Sequence, residues 1–585
     1  MGGKATQLFK YTGNNPFNDS QGRNFSDSKI QNEFYPISRF WSLFNDHHEI
    51  LIGTRGSGKT FLLKMMRRSM LKNIKGETAN RIIEDRIFFP LYVPLHMETV
   101  AALLDDNIPN EKKVILFKFV FNSILAESLL AELSIFIEES VSEEKKTILE
   151  YELSKKIKHI WYPGDNSKSV MDLQDLGIIL RGMTYNFDYL RDSIDTIPVV
   201  FKQEYASPLI SIQPILNKML NLTNEATWIV CVDEAEFIPE LFQKSLNSFM
   251  RSHTNRIALK IATLPFYWTS LDTLDYNIRL SPENDFNYQI LDMDCNSEDF
   301  IHLTNKLCSH RINTRVALDL QVESLEDFLG KIGNDNLIDY YRNSLGEEKA
   351  EKKRIEMDIR ESFSDIRKEG AKKYSNPEKT IFQKFAPTLY VREIYKEMHK
   401  KGKGRFNPGW YAGADVVRKV SQGNPRLFIR LMSSLFTRAT STNFTEKTQQ
   451  EVILKFAEDF CNASKAIEVD GPSVFENLDK TGNYLSAKVH LGPLISVGTS
   501  FKYRYESKTQ FDEWRKWIQR AAAFSKITIS DESLIQGINE DTVIILSNAY
   551  AVFNWIPMRT DGVQIIPTDF NIQEEANKQM SLFDY

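Results

Sequence analysis

The sequence predicts an α/β protein built on a parallel sheet with helices on both faces. Three observations carry that prediction. Short, almost wholly apolar runs recur along the first half of the chain, helical patterns separate them, and a Gly-rich turn joins the first run to the first helix. The 585 residues exceed what one core can hold, and at roughly 150 residues per domain they make three or four units. Composition is that of a globular protein, with 42% hydrophobic, 26% charged and 12% aromatic residues. A net charge of −5 excludes a surface that is basic throughout, while leaving room for a local basic face.

Residues 1–46 are polar, with interspersed Phe and Tyr, and read as an irregular lead-in packed on the first domain. Glu49-Ile50-Leu51-Ile52 is the first strand, followed by the Gly-rich turn and an amphipathic helix from Lys59 to about Lys72. A second strand covers residues 87–93. Helical patterns then run from about Lys112 to Leu222, broken at Tyr162-Pro163-Gly164-Asp165. The most apolar part, residues 114–136, contains Lys118, Glu127 and Glu132, so it reads as a buried amphipathic helix rather than a membrane span. Residues 228–232 form a strand apolar enough to be buried on both faces. Further strands are expected at 257–262 and 289–291, the latter before a helix start at Asn296-Ser297-Glu298. From Ser297 to about Thr437 the pattern is helical, with a charged, solvated segment at 349–373. Beyond about Asn443, helices at 446–460 and 510–523 alternate with short strands at 501–505 and 542–546.

Gly53-Thr54-Arg55-Gly56-Ser57-Gly58-Lys59-Thr60 satisfies G-x-x-x-x-G-K-[ST] and lies between a strand and a helix, the context that pattern requires. Its glycines let main-chain N–H groups turn toward phosphates, and the helix N-terminus favours an anion. Lys59 would neutralise β- and γ-phosphates and the Thr60 hydroxyl would ligate Mg²⁺. Such a loop needs an acid at the end of a neighbouring strand. Trp228-Ile229-Val230-Cys231-Val232-Asp233-Glu234 supplies one, with Asp233 for the Mg²⁺ shell and Glu234 to polarise water; as a plainer alternative, both acids cap the next helix. Thr263 ends the following strand, where its hydroxyl can position water or meet the γ-phosphate. Gly423-Asn424-Pro425-Arg426 opens an amphipathic helix far downstream.

These four elements, in this order, resemble the AAA+ ATPases, specifically the initiator-type branch related to origin-recognition-complex ATPases and the STAND signalling ATPases, over roughly residues 45–435. The resemblance implies ATP and Mg²⁺ as ligands. Residues 53–60 correspond to Walker A, 231–234 to Walker B, Thr263 to sensor 1 and Arg426 to sensor 2, the last reaching the phosphates from a helical lid. It further implies a five-stranded core in 5-1-4-3-2 order and a C-terminal winged-helix-like α+β domain. The corresponding plan is a lead-in (1–46), an ATPase core with a helical insertion (47–295), a lid with a charged insertion (296–437), a winged-helix-like domain (438–572) and a tail (573–585). The segment between the second strand and Walker B is longer than a minimal core needs. The family's trans-acting arginine finger falls nearest Arg279, with Arg251 and Arg256 as alternatives.

The chain ends Gln579-Met580-Ser581-Leu582-Phe583-Asp584-Tyr585, and Gln579, Leu582 and Phe583 resemble the short peptide that docks bacterial proteins on the DNA sliding clamp. A Leu-Phe pair there can equally pack back on its own domain. Two basic stretches are candidates for DNA contact: residues 399–406, and Lys502, Arg504, Lys508, Arg515, Lys516 and Arg520 among Tyr503, Tyr505, Trp514 and Trp517. Scattered Cys231, Cys295, Cys308 and Cys461 suit a reducing cytoplasm and offer no disulfide or zinc framework; His302, Cys308 and His310 lack ligand spacing. The expectation is a cytoplasmic ATP-hydrolysing switch, acting in DNA transactions or in defence against phage and mobile elements. Its expected partners are an effector protein, further copies of itself and no membrane. An ATP-binding scaffold without useful turnover and a DNA-binding initiator or loader are the alternatives.

Overall fold

The computed structural model describes residues 3–19, 26–74, 76–85, 87–105, 107–164, 169–185, 193–223, 225–252, 256–316, 320–330, 387, 388, 391, 392, 395, 410–469, 473–491 and 496–569. The charged segment 349–373, the basic stretch 399–406 and the tail with Gln579, Leu582 and Phe583 lie outside the described residues. Two compact units form. One joins Gln21–Gly53 to Gly58–Leu291; the other joins Met1–Ser20 and Thr54–Ser57 to Asp292–Tyr585.

The first unit is organised by five parallel strands: β1 (Glu49–Ile52), β2 (Phe88–Pro94), β3 (Thr227–Asp233), β4 (Ile257–Thr263) and β5 (Asn287–Ile290). Their order is β2-β3-β4-β1-β5, all pairs parallel, which is the 5-1-4-3-2 order expected. Every residue of β1, β3 and β4 is buried, so these strands read as apolar runs with no alternation. Lys260 is the exception inside β4, and it is fully buried. Its Nζ donates to Asn45 Oδ1 and the His47 carbonyl, each at 2.8 Å, and lies 3.3 Å from Glu49 Oε2. A charge there is tolerable only because it is paired and hydrogen-bonded.

Between β2 and β3 stands a helical insertion. The expected helical stretch breaks not only near 162–164 but also at Val141 and Ser142, which are extended, giving helices Asn110–Ser140 and Glu143–Trp161. The first is long and apolar enough, by length and composition, to cross a membrane. It is not amphipathic along its first half, where Phe119, Val120 and Phe121 are buried in succession. The reason is that β2 and the helices Leu173–Tyr185, Val199–Lys202 and Ser207–Met219 cover it on several sides. Phe117 adds a stacked contact with Phe242, centroids 4.4 Å apart. The helix after the Gly-rich turn is shorter than expected: Lys59–Met66 stops because Arg67 takes an extended ψ of 141°, and a separate turn, Arg68–Leu71, follows.

The reading of residues 1–46 as one lead-in on the first domain holds in part. Residues 26–46 belong to the first unit, where they form helices Asp27–Glu33 and Ser38–Trp41, whereas residues 4–8 form a short 3₁₀ helix packed on helices Leu325–Leu329 and Pro425–Ser441 of the second. Leu8 and Phe17 are fully buried, and Tyr11 and Phe17 meet Phe436 at 5.9 and 6.0 Å, so the interspersed aromatics are anchors. Arg418 on helix Ala414–Ser421 is buried and forks onto both carboxylate oxygens of Glu326, at 2.5 and 3.0 Å. The C-terminal part is α+β. Strands β6 (Ser500–Arg504), β7 (Ile527–Ile529), β8 (Ile544–Leu546) and β9 (Gln564–Pro567) form a mixed sheet in the order β7-β8-β6-β9. Among these strands no successive pair is joined by a hairpin, since helices Lys508–Ala523, Asp531–Gln536 and Asn548–Phe553 stand between them.

Lys526, just before β7, is buried against helix Glu446–Asn462. Its Nζ donates to the Phe460 carbonyl at 2.6 Å and lies 3.4 Å from that residue's ring centroid. Burial pushes its ammonium down from the ordinary 10.5 to about 7. Between those values the unfolded chain binds a proton that the native chain does not, so stability rises with pH across that window. The penalty of the buried charge is fully present below about pH 7. Relative to Lys526→Met, the wild type is expected to gain up to about 1.4 kcal/mol per pH unit between pH 7 and 10. Denaturant unfolding across that range measures it, and parallel pH profiles for the two proteins would refute it.

Candidate nucleotide site

The strand ends bring together three of the residues singled out by sequence. Ile52 pairs with Thr263 in register, and the Gly53 N–H donates to the Thr263 carbonyl at 3.2 Å. Asp233 ends β3, the strand on the other side of β4. Gly53, Thr263 and Asp233 are therefore arranged along the carboxyl edge of a parallel sheet, where such sheets hold ligands. The Thr263 hydroxyl is fully buried and has no hydrogen-bond partner among the described residues. An orphaned hydroxyl costs about 1–3 kcal/mol, which makes a polar ligand atom the natural complement.

Lys59 opens the helix Lys59–Met66 and is buried, its Nζ donating to the Gly53 carbonyl at 2.6 Å. Thr60 follows in the first turn, which contains no acid, so the helix N-terminus is free to favour an external anion. Asp233 is 2% exposed. Its Oδ2 accepts from the Tyr92 phenol at 2.7 Å and its Oδ1 from the Glu234 N–H at 3.0 Å. Glu234 itself is left-handed, φ 60° and ψ 33°, just before the 3₁₀ turn Ala235–Phe237. For a glutamate this conformation costs on the order of 1–3 kcal/mol, and strain of this kind clusters at functional positions. Asp233 is thus held by two donors, and Glu234, at the N-cap of the following turn, makes no side-chain cap hydrogen bond. Burial and the adjacent Asp233 carboxylate push the Tyr92 phenol far above its ordinary range, so it remains a donor. Sequence reasoning missed Tyr92, because a tyrosine in an apolar strand carries no signal of what its hydroxyl meets.

The tip of the loop, Thr54–Ser57, belongs to the second unit. Asp292, also missed, accepts from the Thr54 N–H at 3.1 Å on both oxygens and from the Thr54 hydroxyl at 2.7 Å. Asn424 caps the helix Pro425–Ser441, its Oδ1 accepting from the N–H groups of Arg426 and Leu427. Its amide donates outward, to the Arg55 carbonyl at 2.9 Å and Ser525 Oγ at 3.2 Å. Arg426 is brought against the loop: its N–H reaches the Gly56 carbonyl at 3.4 Å. A Cβ on Gly56, where φ is +98°, would fall 2.6 Å from Asn424 Oδ1 and 2.7 Å from the Arg426 Cβ. A Cβ on Gly423, at φ +70°, would fall closer still, onto the Met293 carbonyl. From the C-terminal part, the Ala523 carbonyl accepts from the Arg55 N–H at 3.1 Å, and the Arg55 guanidinium lies 4.5 Å from the Phe524 ring centroid. Ser57 Oγ is buried with no partner among the described residues.

Other candidates lie elsewhere. The Arg279 side chain is 70% exposed, with Nε 3.8 Å from Asp272. Arg251 pairs with Asp285 at 2.5 Å, and Arg256 donates to the Glu225 carbonyl at 3.1 Å. The aromatics among the C-terminal basic residues are not presented as a stacking platform. Tyr503 and Trp517 are buried, and Tyr503, Tyr505, Trp514 and Trp517 pack on one another at 4.6–6.3 Å. Lys502 and Arg515 face Asp541 and Asp512, at 3.5 and 3.2 Å.

The ORC-CDC6-like family model matches residues 15–565, and the chain belongs to that family, as an initiator-type AAA+ protein. No curated protein matches it.

The close approach at Gly56 gives a direct check. Gly56→Ala should force the tip away from Asn424 and Arg426, so that amide hydrogen exchange quickens at residues 54–57 and 426–428. Unchanged exchange at both segments would contradict the packing described.

Proposed function

We propose that this ORC-CDC6-like protein binds ATP with Mg²⁺ at residues 53–60 and hydrolyses it as a conformational switch. The residues fit those ligands: the helix N-terminus at Lys59 lacks an acid, and the Ser57 and Thr263 hydroxyls are buried without partners among the described residues. Main-chain N–H groups of the loop would cradle the phosphates, with Lys59 leaving the Gly53 carbonyl to neutralise them. Thr60 and Asp233 would hold Mg²⁺, which supplies charge neutralisation at the phosphates. Glu234 would polarise the attacking water, Thr263 would orient it, and Arg426 would sense the γ-phosphate.

One observation supports a switch over a simple binding loop. The loop tip is hydrogen-bonded both to the Gly-Asn-Pro-Arg helix start and to the Ala523 carbonyl, just before the C-terminal sheet. A loop whose tip is gripped in this way cannot change shape on filling without disturbing those partners. The setting we favour is DNA transactions or defence against phage and mobile elements, through an effector protein and with Arg279 reaching a second copy. That setting rests on family analogy and on the tail sequence.

Lys59→Ala should reduce ATP turnover by about 10²-fold or more, and undiminished hydrolysis would remove the assignment. Glu234→Gln should retain ATP while halting turnover; if cellular function survives that change, the scaffold reading replaces the enzyme. For the tail, a sliding-clamp pull-down should be lost when Leu582→Ala and Phe583→Ala are combined, and an unchanged pull-down rules docking out.

A further inference from the structure

Tyr92 is positioned with unusual care for a residue outside every motif. It lies on β2, two residues before the position paired in register with Asp233. Its N–H donates to Ser128 Oγ on the helix Asn110–Ser140 at 2.9 Å, which fixes the strand behind it. The Lys64 ammonium and the Arg67 guanidinium each lie 5.8 Å from its ring centroid, from the far end of the helix that Lys59 and Thr60 begin. Arg67 is itself held by Asp27 at 3.0 Å. The phenol thus touches the loop's helix with its ring and the strand-end acid with its hydroxyl.

We infer that Tyr92 is a positioning residue for Asp233, fixing the carboxylate in the orientation from which it would serve the metal of a bound nucleotide. The inference rests on the Mg²⁺-nucleotide reading given above. Two donors, the phenol and the Glu234 N–H, occupy one lone pair on each Asp233 oxygen, and the second lone pair of each oxygen is left for the metal or its water. Without the phenol, Oδ2 loses its donor and the carboxylate can rotate about its terminal torsion, which is broad and soft. Ligand-orienting partners of this kind change metal affinity more than they change the fold. The ring contacts with Lys64 and Arg67 tie the same residue to the helix carrying Thr60, so the two candidate metal ligands are kept in register through one side chain.

The test is Tyr92→Phe in the full chain, which keeps the ring and removes only the hydroxyl. Binding of trinitrophenyl-ATP is titrated first in EDTA and then against Mg²⁺. The expected result is wild-type binding in EDTA, with the Mg²⁺ concentration for half-maximal effect raised by about 10–100-fold. An unchanged Mg²⁺ midpoint overturns the inference. Equal weakening with and without Mg²⁺, together with a lowered melting temperature, also overturns it, because the residue is then merely structural. The Lys59→Ala control separates the two levels of the argument. If the wild type binds no more nucleotide than Lys59→Ala, the loop assignment falls and takes this inference with it. If only the wild type binds and Tyr92→Phe matches it throughout, the inference alone fails.

Discussion

The parallel pairing of β4 with both β1 and β3 is the constraint on which the site depends. All seven residues of β4 are buried, and so are all of β3. Both faces of each strand are therefore packed, and a one-residue slip would exchange fitted side chains, the paired Lys260 among them, between the two faces. That register fixes the Gly53 N–H on the Thr263 carbonyl and sets the carboxyl end of β3 beside them. The chemistry at the edge is then local. Glycines shape the loop, the Glu234 N–H meets the carboxylate of the aspartate before it, and a tyrosine one strand over completes the clamp.

The second unit is organised around a different kind of contact. Its helices pack through ordinary apolar faces, but its hold on the loop tip is polar and directional. One carboxylate meets the Thr54 N–H and hydroxyl, one amide meets the Arg55 carbonyl, and one carbonyl meets the Arg55 N–H. Directional bonds of this sort are lost over small displacements, whereas apolar packing tolerates sliding. That contrast makes the hold on the tip more sensitive to displacement than the apolar packing around it.

How far the sequence alone discloses this molecule follows from the range of the interactions. The loop, the acid pair and the strands around them are legible because their signals are local: fixed glycine spacing, a hydrophobic run ending in Asp-Glu, and short apolar segments separated by helices. The order of the five strands came through resemblance and matches the observed sheet. Tyr92, Asp292 and residues 523–525 are not legible, since each matters through a partner distant in the chain. The first part of the lead-in was misplaced for the same reason: Phe17 and Tyr11 mark an anchored segment, yet nothing local says that Phe436 is the surface they meet. The burial of successive residues in the first half of Asn110–Ser140 was disguised by charges along the helix, of which Glu132 pairs with Ser69.

The contact made by residues 523–525 has a practical side. A cut between the helical lid and the C-terminal sheet is the obvious way to isolate a minimal ATPase fragment. Made there, it would delete the Ala523 carbonyl, the Phe524 ring and the Ser525 hydroxyl together, stripping the Arg55 N–H, the Arg55 guanidinium and the Asn424 amide of the partners they hold in the whole chain. Such a fragment would have a P-loop of native sequence and altered poise. Its nucleotide affinity would describe the truncation as much as the protein.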